Sequence, residues 1–182
     1  GRGDRGVGAF DRGRGGDLVR GSVILIGRDP RIGTSTLLLQ AFAAVSRQSI
    51  TCRYVSGEQS QRQIKMRAER LGISSHVFFI EPAFGQERAN LFAAADMFVH
   101  PSRWEGLSLS VLAASAAGKA CMITREADPL GELERAQAAV VVEASVSSIT
   151  TGLRRAADLT RQELDIMGAR ARGVAETHFN WP

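Results

Sequence analysis

At 182 residues the chain is long enough to bury a full core, and its 44% hydrophobic and 23% charged residues are those of a soluble globular protein. No apolar run approaches the length of a membrane span and the first residues lack a signal peptide's apolar stretch, so no membrane association and a cytoplasmic location are expected. The net charge of +4 is carried by arginines spread along the chain, with only 6% aromatic residues to offer a stacking platform, so a nucleic-acid partner is not expected.

The chain opens on "GRGDRGVGAFDRGRGG", a Gly/Arg-rich lead-in over residues 1–20 that is expected to be partly flexible. Strand and helix signals then alternate. The predicted strands are Ser22–Ile26, Ile50–Val55, Val77–Ile80, Asp96–His100, Ala120–Thr124 and Ala138–Val142; several are continuous apolar runs, the pattern of strands covered on both faces. The predicted helices are Thr36–Ser46, Gln61–Leu71, Gln86–Ala95, Leu107–Ala117, Ile149–Leu159 and Arg161–His178. Gly118 is a C-terminal stop for the fourth of these, and Leu164, Met167, Ala171 and Val174 form the inner stripe of the last. Such alternation implies a parallel sheet with right-handed crossovers and helices on both faces. The expectation is one α/β domain over residues 1–182, a Rossmann-like three-layer sandwich with a six-stranded sheet in the order 3-2-1-4-5-6. Cys52 and Cys121, far apart and both in predicted strands, are read as buried thiols rather than a disulfide or metal pair. His76, His100 and His178 have no metal-ligand spacing, and no cofactor is expected.

The loop "GRDPRIGTST" between the first strand and helix nearly fits the phosphate-loop pattern G-x-x-x-x-G-K-[ST]. Gly33, Ser35 and Thr36 are in place, but the first glycine position holds Arg28 and the lysine position holds Thr34. A working loop wraps phosphate oxygens with consecutive backbone N–H groups and neutralises them with its lysine. Losing that lysine removes a charge-assisted contact worth roughly 1.5–3 kcal/mol. The loop thus keeps a phosphate loop's frame without its ligand chemistry. In purely structural terms it is a turn shaped by Pro30 and Gly33, with Ser35 or Thr36 capping the helix.

Two family resemblances divide the chain. "GVGAFDR", "GGDLVRGSVILIG" and above all "YVSGEQSQRQIKMRAERLGI", over about residues 6–73, resemble the ATPase core of bacterial RadA-type, RecA-like DNA-repair proteins. That likeness implies an ATP site, with Glu58 matching the acidic residue near the γ-phosphate, yet the family's glycines at 28 and 31 are arginines here. "ANLFAAADMFVHPSRWEGLSLSVLAASAAGKACMIT" and "MGARARGVAETHFNW", over about residues 71–182, resemble the C-terminal, donor-binding domain of GT-B glycosyltransferases of retaining family four. In that family "GRDPRIG" is similar to a loop whose arginine, here Arg28, contacts phosphate. The family's two glutamates spaced E-x7-E would be Glu105, near the donor sugar, and a ribose-binding residue at Ala113, which is lost.

The resemblances together imply a chimera, designed or selected: RadA-like to about residue 73 and glycosyltransferase-like from about residue 74. A natural donor-binding domain is the alternative. The strand ending at His100 would place the next loop and helix N-terminus at the sheet's carboxyl edge, where α/β folds bind ligands. Backbone N–H groups of Leu107, Ser108 and Leu109 would suit a pyrophosphate there. The resulting expectation is weak binding of a nucleotide or nucleotide-sugar through Arg28, Gly33, Ser35, Thr36, Glu105, Gly106, Leu107 and Ser108, without competent enzyme activity. Binding of a UDP- or GDP-sugar donor and residual ATP binding are the runners-up. Retaining enzymes of this shape also require an acceptor domain that these 182 residues do not supply. Oligomeric state is left open.

Overall fold

The computed structural model describes residues 22–27, 34–45, 51–56, 61–80, 83–104, 106 and 108–179. Among the described residues there are six strands, several of them short apolar runs: β1 Ser22–Gly27, β2 Thr51–Ser56, β3 Val77–Ile80, β4 Met97–His100, β5 Ala120–Thr124 and β6 Ala139–Val142. Between and after them lie α1 Thr34–Val45, α2 Gln61–Arg70, α3 Gly85–Ala94, α4 Leu109–Ala116, the short α5 Glu132–Arg135, α6 Val146–Asp158 and α7 Arg161–His178. A 3-10 turn, Arg125–Ala127, leads from β5 towards α5.

The strands form one sheet in the order β3-β2-β1-β4-β5-β6, with every neighbouring pair parallel. β1 pairs with β2 from Ser22↔Thr51 to Gly27↔Ser56 and with β4 from Val23↔Met97 to Leu25↔Val99. All carboxyl ends therefore lie along one edge, and the chain order reverses between β1 and β4. That reversal is the switch point at which open α/β sheets leave a crevice.

Strand pleating sends alternate residues to opposite faces. Met97, Val99, Ala120, Met122, Val140 and Val142 point into a cluster built with Leu38, Phe42 and Val45 of α1, Ile64 and Ala68 of α2, and Ile149 and Leu153 of α6. Phe98, Cys121 and Ile123 point the other way, against Phe92 of α3, Val111 and Ala114 of α4, and Ala171 and Val174 of α7. α7 touches both clusters, because its half-buried Leu164 and Met167 pack on the first.

Several helix ends have clear chemical causes. α7 opens on a capping box in which Thr160 Oγ1 accepts from the Glu163 N–H (3.2 Å) while Glu163 Oε2 accepts from the Thr160 N–H (2.7 Å). The bond from the Thr160 N–H, and after it one that the Thr160 hydroxyl donates to the same Oε2 (2.7 Å), hold the Glu163 carboxyl below its ordinary range. α4 ends on Gly118 in the left-handed region (φ 70°), with Gly118 N–H donating to Ser115 C=O (2.8 Å) and Lys119 N–H to Ala114 C=O (3.0 Å). This closing pattern needs a residue without a Cβ penalty.

Three sequence expectations are corrected. The fourth helix begins at Leu109 rather than Leu107, because Ser108 serves as its cap. The first helix begins at Thr34, so Ser35 and Thr36 lie inside its first turn instead of capping it. The inner face of α7 is centred further round than the predicted stripe: Gly168, Ala171, Val174 and Ala175 are buried, while Leu164 and Met167 are only half-buried.

Candidate site at the carboxyl edge of the sheet

β4 carries His100 to the switch point, and the loop beyond it is anchored by polar contacts. Ser102, buried, donates from Oγ to the Trp104 carbonyl (3.1 Å). The Ser102 carbonyl in turn accepts from Thr124 Oγ1 at the end of β5. These bonds tie the loop to the neighbouring strand and leave the Trp104 ring 66% exposed at the edge of the sheet.

A serine before the apolar run "LSVLAA" is the chemistry expected of an N-cap. Ser108 Oγ accepts from the Val111 N–H (3.4 Å), and its backbone carbonyl accepts from the Leu112 N–H (3.0 Å). Oγ also lies 3.3 Å from His100 Nε2 and 3.2 Å from Ser110 Oγ. His100 and Ser108 are both buried, and the His100 ring stacks on Phe98 at 6.0 Å between centroids and 10° between planes. The first-turn N–H groups of Leu109 and Ser110 are those a helix cannot satisfy from within itself. They carry the positive end of the helix dipole to the carboxyl edge of the sheet, a geometry suited to an anion.

Two charged groups near this edge are engaged in contacts of their own. Arg125, at the end of β5, holds Glu134 at 2.8 Å and Glu143 at 3.5 Å, and the bond to Glu134 is the main cause of its raised pKa. The Asp128 carboxylate caps α5, accepting from the N–H groups of Glu132 (3.1 Å) and Glu134 (3.0 Å). Behind α4, between the turn after β5 and α7, Ser115, Asp128 and Leu133 help to line a cavity of about 20 Å³. That space admits one water, far short of the roughly 300 Å³ at which small-molecule pockets begin. Beneath it, burial pushes the Cys121 thiol up to about 12; the neighbouring Ser115 hydroxyl opposes that shift and the Asp128 charge adds to it. Among the described residues no three His, Cys, Asp or Glu side chains converge as a metal set, and no helix is long and apolar enough to cross a membrane.

Of the residues expected at a ligand site, Arg28, Gly33, Glu105 and Leu107 lie outside the described residues, as does Glu58. Ser35 is buried and Thr36 half-buried in α1. Gly106 is exposed, with open space where a side chain would start, and Ser108 is the cap just described. The predicted row of N–H donors moves one position along: the Leu109 and Ser110 N–H groups remain, while that of Val111 is taken by Ser108. Ala113, at the position of the second glutamate, is half-buried and packs on the cluster beneath α4. The His100–Ser108 contact was not foreseen. Its partners are eight residues apart across a loop, and only a serine directly before a helix and a histidine ending a strand hint at it.

Comparison with known proteins identifies two kinds of relative. DNA repair protein RadA of Bacillus subtilis (strain 168) is 54% identical over 69 residues, 38% of this chain but 15% of that protein. The chain therefore spans less than a fifth of the length of these curated relatives. Among solved structures, WaaG, a glycosyltransferase involved in lipopolysaccharide biosynthesis, superposes with a TM-score of 0.74 at 22% identity, over 98% of this chain and 48% of its own. The C-terminal domain of a glycosyl transferase group 1 family protein (LpcC) from Francisella tularensis superposes with a TM-score of 0.76 at 16% identity, over 99% and 95% of the two chains. At these identities the superpositions establish the fold, a Rossmann-like α/β domain with a parallel sheet. The family model described as glycosyl transferases group 1 matches residues 20–158, so it takes in β1 to α2 as well as the later elements up to α6. The chain thus combines a RadA-like stretch with the C-terminal domain of the GT-B architecture, and it belongs to the glycosyl transferases group 1 family.

Proposed function

We propose that this chain is a donor-binding domain that holds the diphosphate of a UDP- or GDP-sugar at the N-terminus of α4, weakly and without transferring the sugar by itself. The observation that carries the reading is the capped start of α4, beside the β1/β4 switch point, in a member of a glycosyltransferase family. Two first-turn N–H groups and the helix dipole supply the attraction for phosphate. The small side chain of Ala113 withholds the carboxylate that would engage ribose, which accounts for weak binding. Gly106 and Ser108 belong to the proposed site, and Glu105, Arg28 and Gly33, which lie outside the described residues, are assigned to it by the family resemblance of their sequence alone. The joining of RadA-like and glycosyltransferase-like sequence, by design or by selection, is the origin we propose.

Thermal-shift titration with UDP, GDP, their sugar conjugates, ADP and ATP tests the reading. A uridine or guanosine diphosphate is expected to raise the melting temperature, with a gain of about 2.7 kcal/mol at a ligand concentration a hundred times Kd. Ala113→Glu is expected to tighten that binding about tenfold, equivalent to about 1.4 kcal/mol. Stabilisation by ATP alone would overturn the donor reading in favour of a residual RadA-like site, the reading that the 54% identity to RadA supports.

A further inference from the structure

Arginines that are scattered along the sequence are gathered by the fold. Helices α2, α1 and α6 pack side by side over one face of the sheet. Between them they carry six basic side chains, five of them arginine, and two acidic ones. The difference, +4, equals the net charge of the whole chain. The opposite layer, α3, α4 and α7, carries four basic and four acidic side chains. There Arg161 holds Asp96 (3.2 Å) and Asp165 (3.1 Å), Arg170 the Gln137 side chain and Arg172 the Ala116 carbonyl. Among the described residues, Arg62, Arg67, Arg70, Arg154 and Arg155 have no such partner. All but the half-buried Arg67 are exposed. Arg67, Arg70 and Arg155 lie in last turns, where the helix dipole favours cations. The dipole does not account for Arg62, in a first turn that holds no acidic residue. Like charges one turn apart, such as Arg67 and Arg70, also repel each other.

We propose that the outer face of α2, α1 and α6 binds the phosphate backbone of a double-stranded nucleic acid without reading its sequence. This face lies on a helical layer and not at the carboxyl edge, so the inference is independent of the donor-site reading. Arg62 and Arg70 stand eight residues apart on α2, about 12 Å along the helix. α2 and α6 flank α1 at about 16–20 Å from axis to axis, two ordinary helix spacings. The arginines thus span an area that meets several phosphates of a duplex, and the guanidinium fork suits phosphate oxygens. Other polyanions fit less well. Phe42 is the one aromatic residue of the three helices and is buried, so the unstacked bases of a single strand find no platform. Met66 on α2 and Leu71 just beyond it are the exposed large hydrophobic residues here, too little apolar surface to enter a lipid interface. Scatter of arginines along the sequence argues against a nucleic-acid partner, and the fold removes that scatter.

The test is fluorescence anisotropy of the full chain with two short labelled DNA duplexes of unrelated sequence, between about 50 and 200 mM salt. The two duplexes are expected to bind equally, with log K falling linearly against log salt at a slope of about −4 for five phosphates engaged. Arg70→Gln/Arg154→Gln is expected to reduce that slope by about two and to weaken both duplexes about tenfold. Both side chains are exposed, so the melting temperature of this variant should match the wild type. Arg88→Gln/Arg170→Gln removes the same charge from the opposite layer and is expected to leave slope and affinity unchanged. Equal losses in the two variants would overturn the assignment to this face, because net charge alone would then drive binding. No binding at about 50 mM salt would overturn the proposal, as would tighter binding of a single strand or of phosphatidylglycerol vesicles.

Discussion

On the side of the sheet covered by α1, α2 and α6, space is filled by side chains such as Leu38, Phe42, Ile64, Ile149 and Leu153. On the side covered by α3, α4 and α7, the helices reach the sheet and one another through Ala114, Ser115, Ala171 and Gly168. The contrast extends to what limits each side. A Cβ added at Gly152 of α6 would meet the buried Val142 and Met122 side chains at 2.5 and 2.9 Å, so side chains rather than backbone must shift. A Cβ added at Gly168 of α7 would lie 2.1 Å from the Gly118 carbonyl oxygen, which is backbone and fixed by the helix end it closes. One face is sensitive to the loss of atoms and the other to their addition.

The sharpest way to break this contrast is to delete volume on the first face. Phe42→Ala is expected to cost about 3–5 kcal/mol, measured by urea unfolding, because the ring is fully buried and leaves a void. A cost under about 1 kcal/mol would mean that the face collapses readily and is no better filled than its opposite. Next comes addition on the second face. Gly168→Ala is expected to cost about 1–3 kcal/mol despite alanine's better helix propensity, and more than Gly152→Ala; equal costs would dissolve the distinction between backbone and side-chain limits. The smallest effect concerns Cys121, which points into the tight face. Its folded pKa lies above its unfolded one, so its contribution is fully present below pH 9.0 and is lost as pH rises towards about 12. At pH 10 the loss relative to pH 8 is expected to be about 1.4 kcal/mol, and Cys121→Ala should not show it.

The parallel α/β class was legible because short runs, several of them wholly apolar as in strands covered on both faces, alternate with helical segments. Helix α7 was read from its periodic apolar positions, and the structure adds that "TRQE" forms the capping box that fixes its start. The placement of Met167 was not legible. At 3.6 residues per turn it shares a stripe with Ala171 and Val174, but close approach at Gly168 rotates the helix and leaves Met167 half-buried. A charge there (Met167→Asp) therefore has a route to solvent that a fully buried position would deny it. The start of α4 was misplaced because Leu107 extends the apolar pattern, whereas the cap chemistry of Ser108 decides the boundary. α5, four residues long, is too short to show any period; what fixes it is the Asp128 carboxylate on its first turn. At the site, Ser108 was legible as a residue and His100 only as a strand end, since their contact exists only once the loop between them has folded.

The position of β1 between β2 and β4 also bears on how this chain can fold. Its contact with β2 closes a loop of ordinary size for one helical crossover, but its other edge waits for Met97, more than seventy residues downstream of Val23. Pairing at that distance is costly in loop entropy and slow. During synthesis the first two strands and helices emerge with an unclosed strand edge and the uncovered leucines of α1, the kind of surface that associates with other chains. Arrival of β4 pairs that open edge of β1, but β5 and β6 have still to join the sheet and α6 to cover α1, so the exposure ends only once Val146–Asp158 has been made.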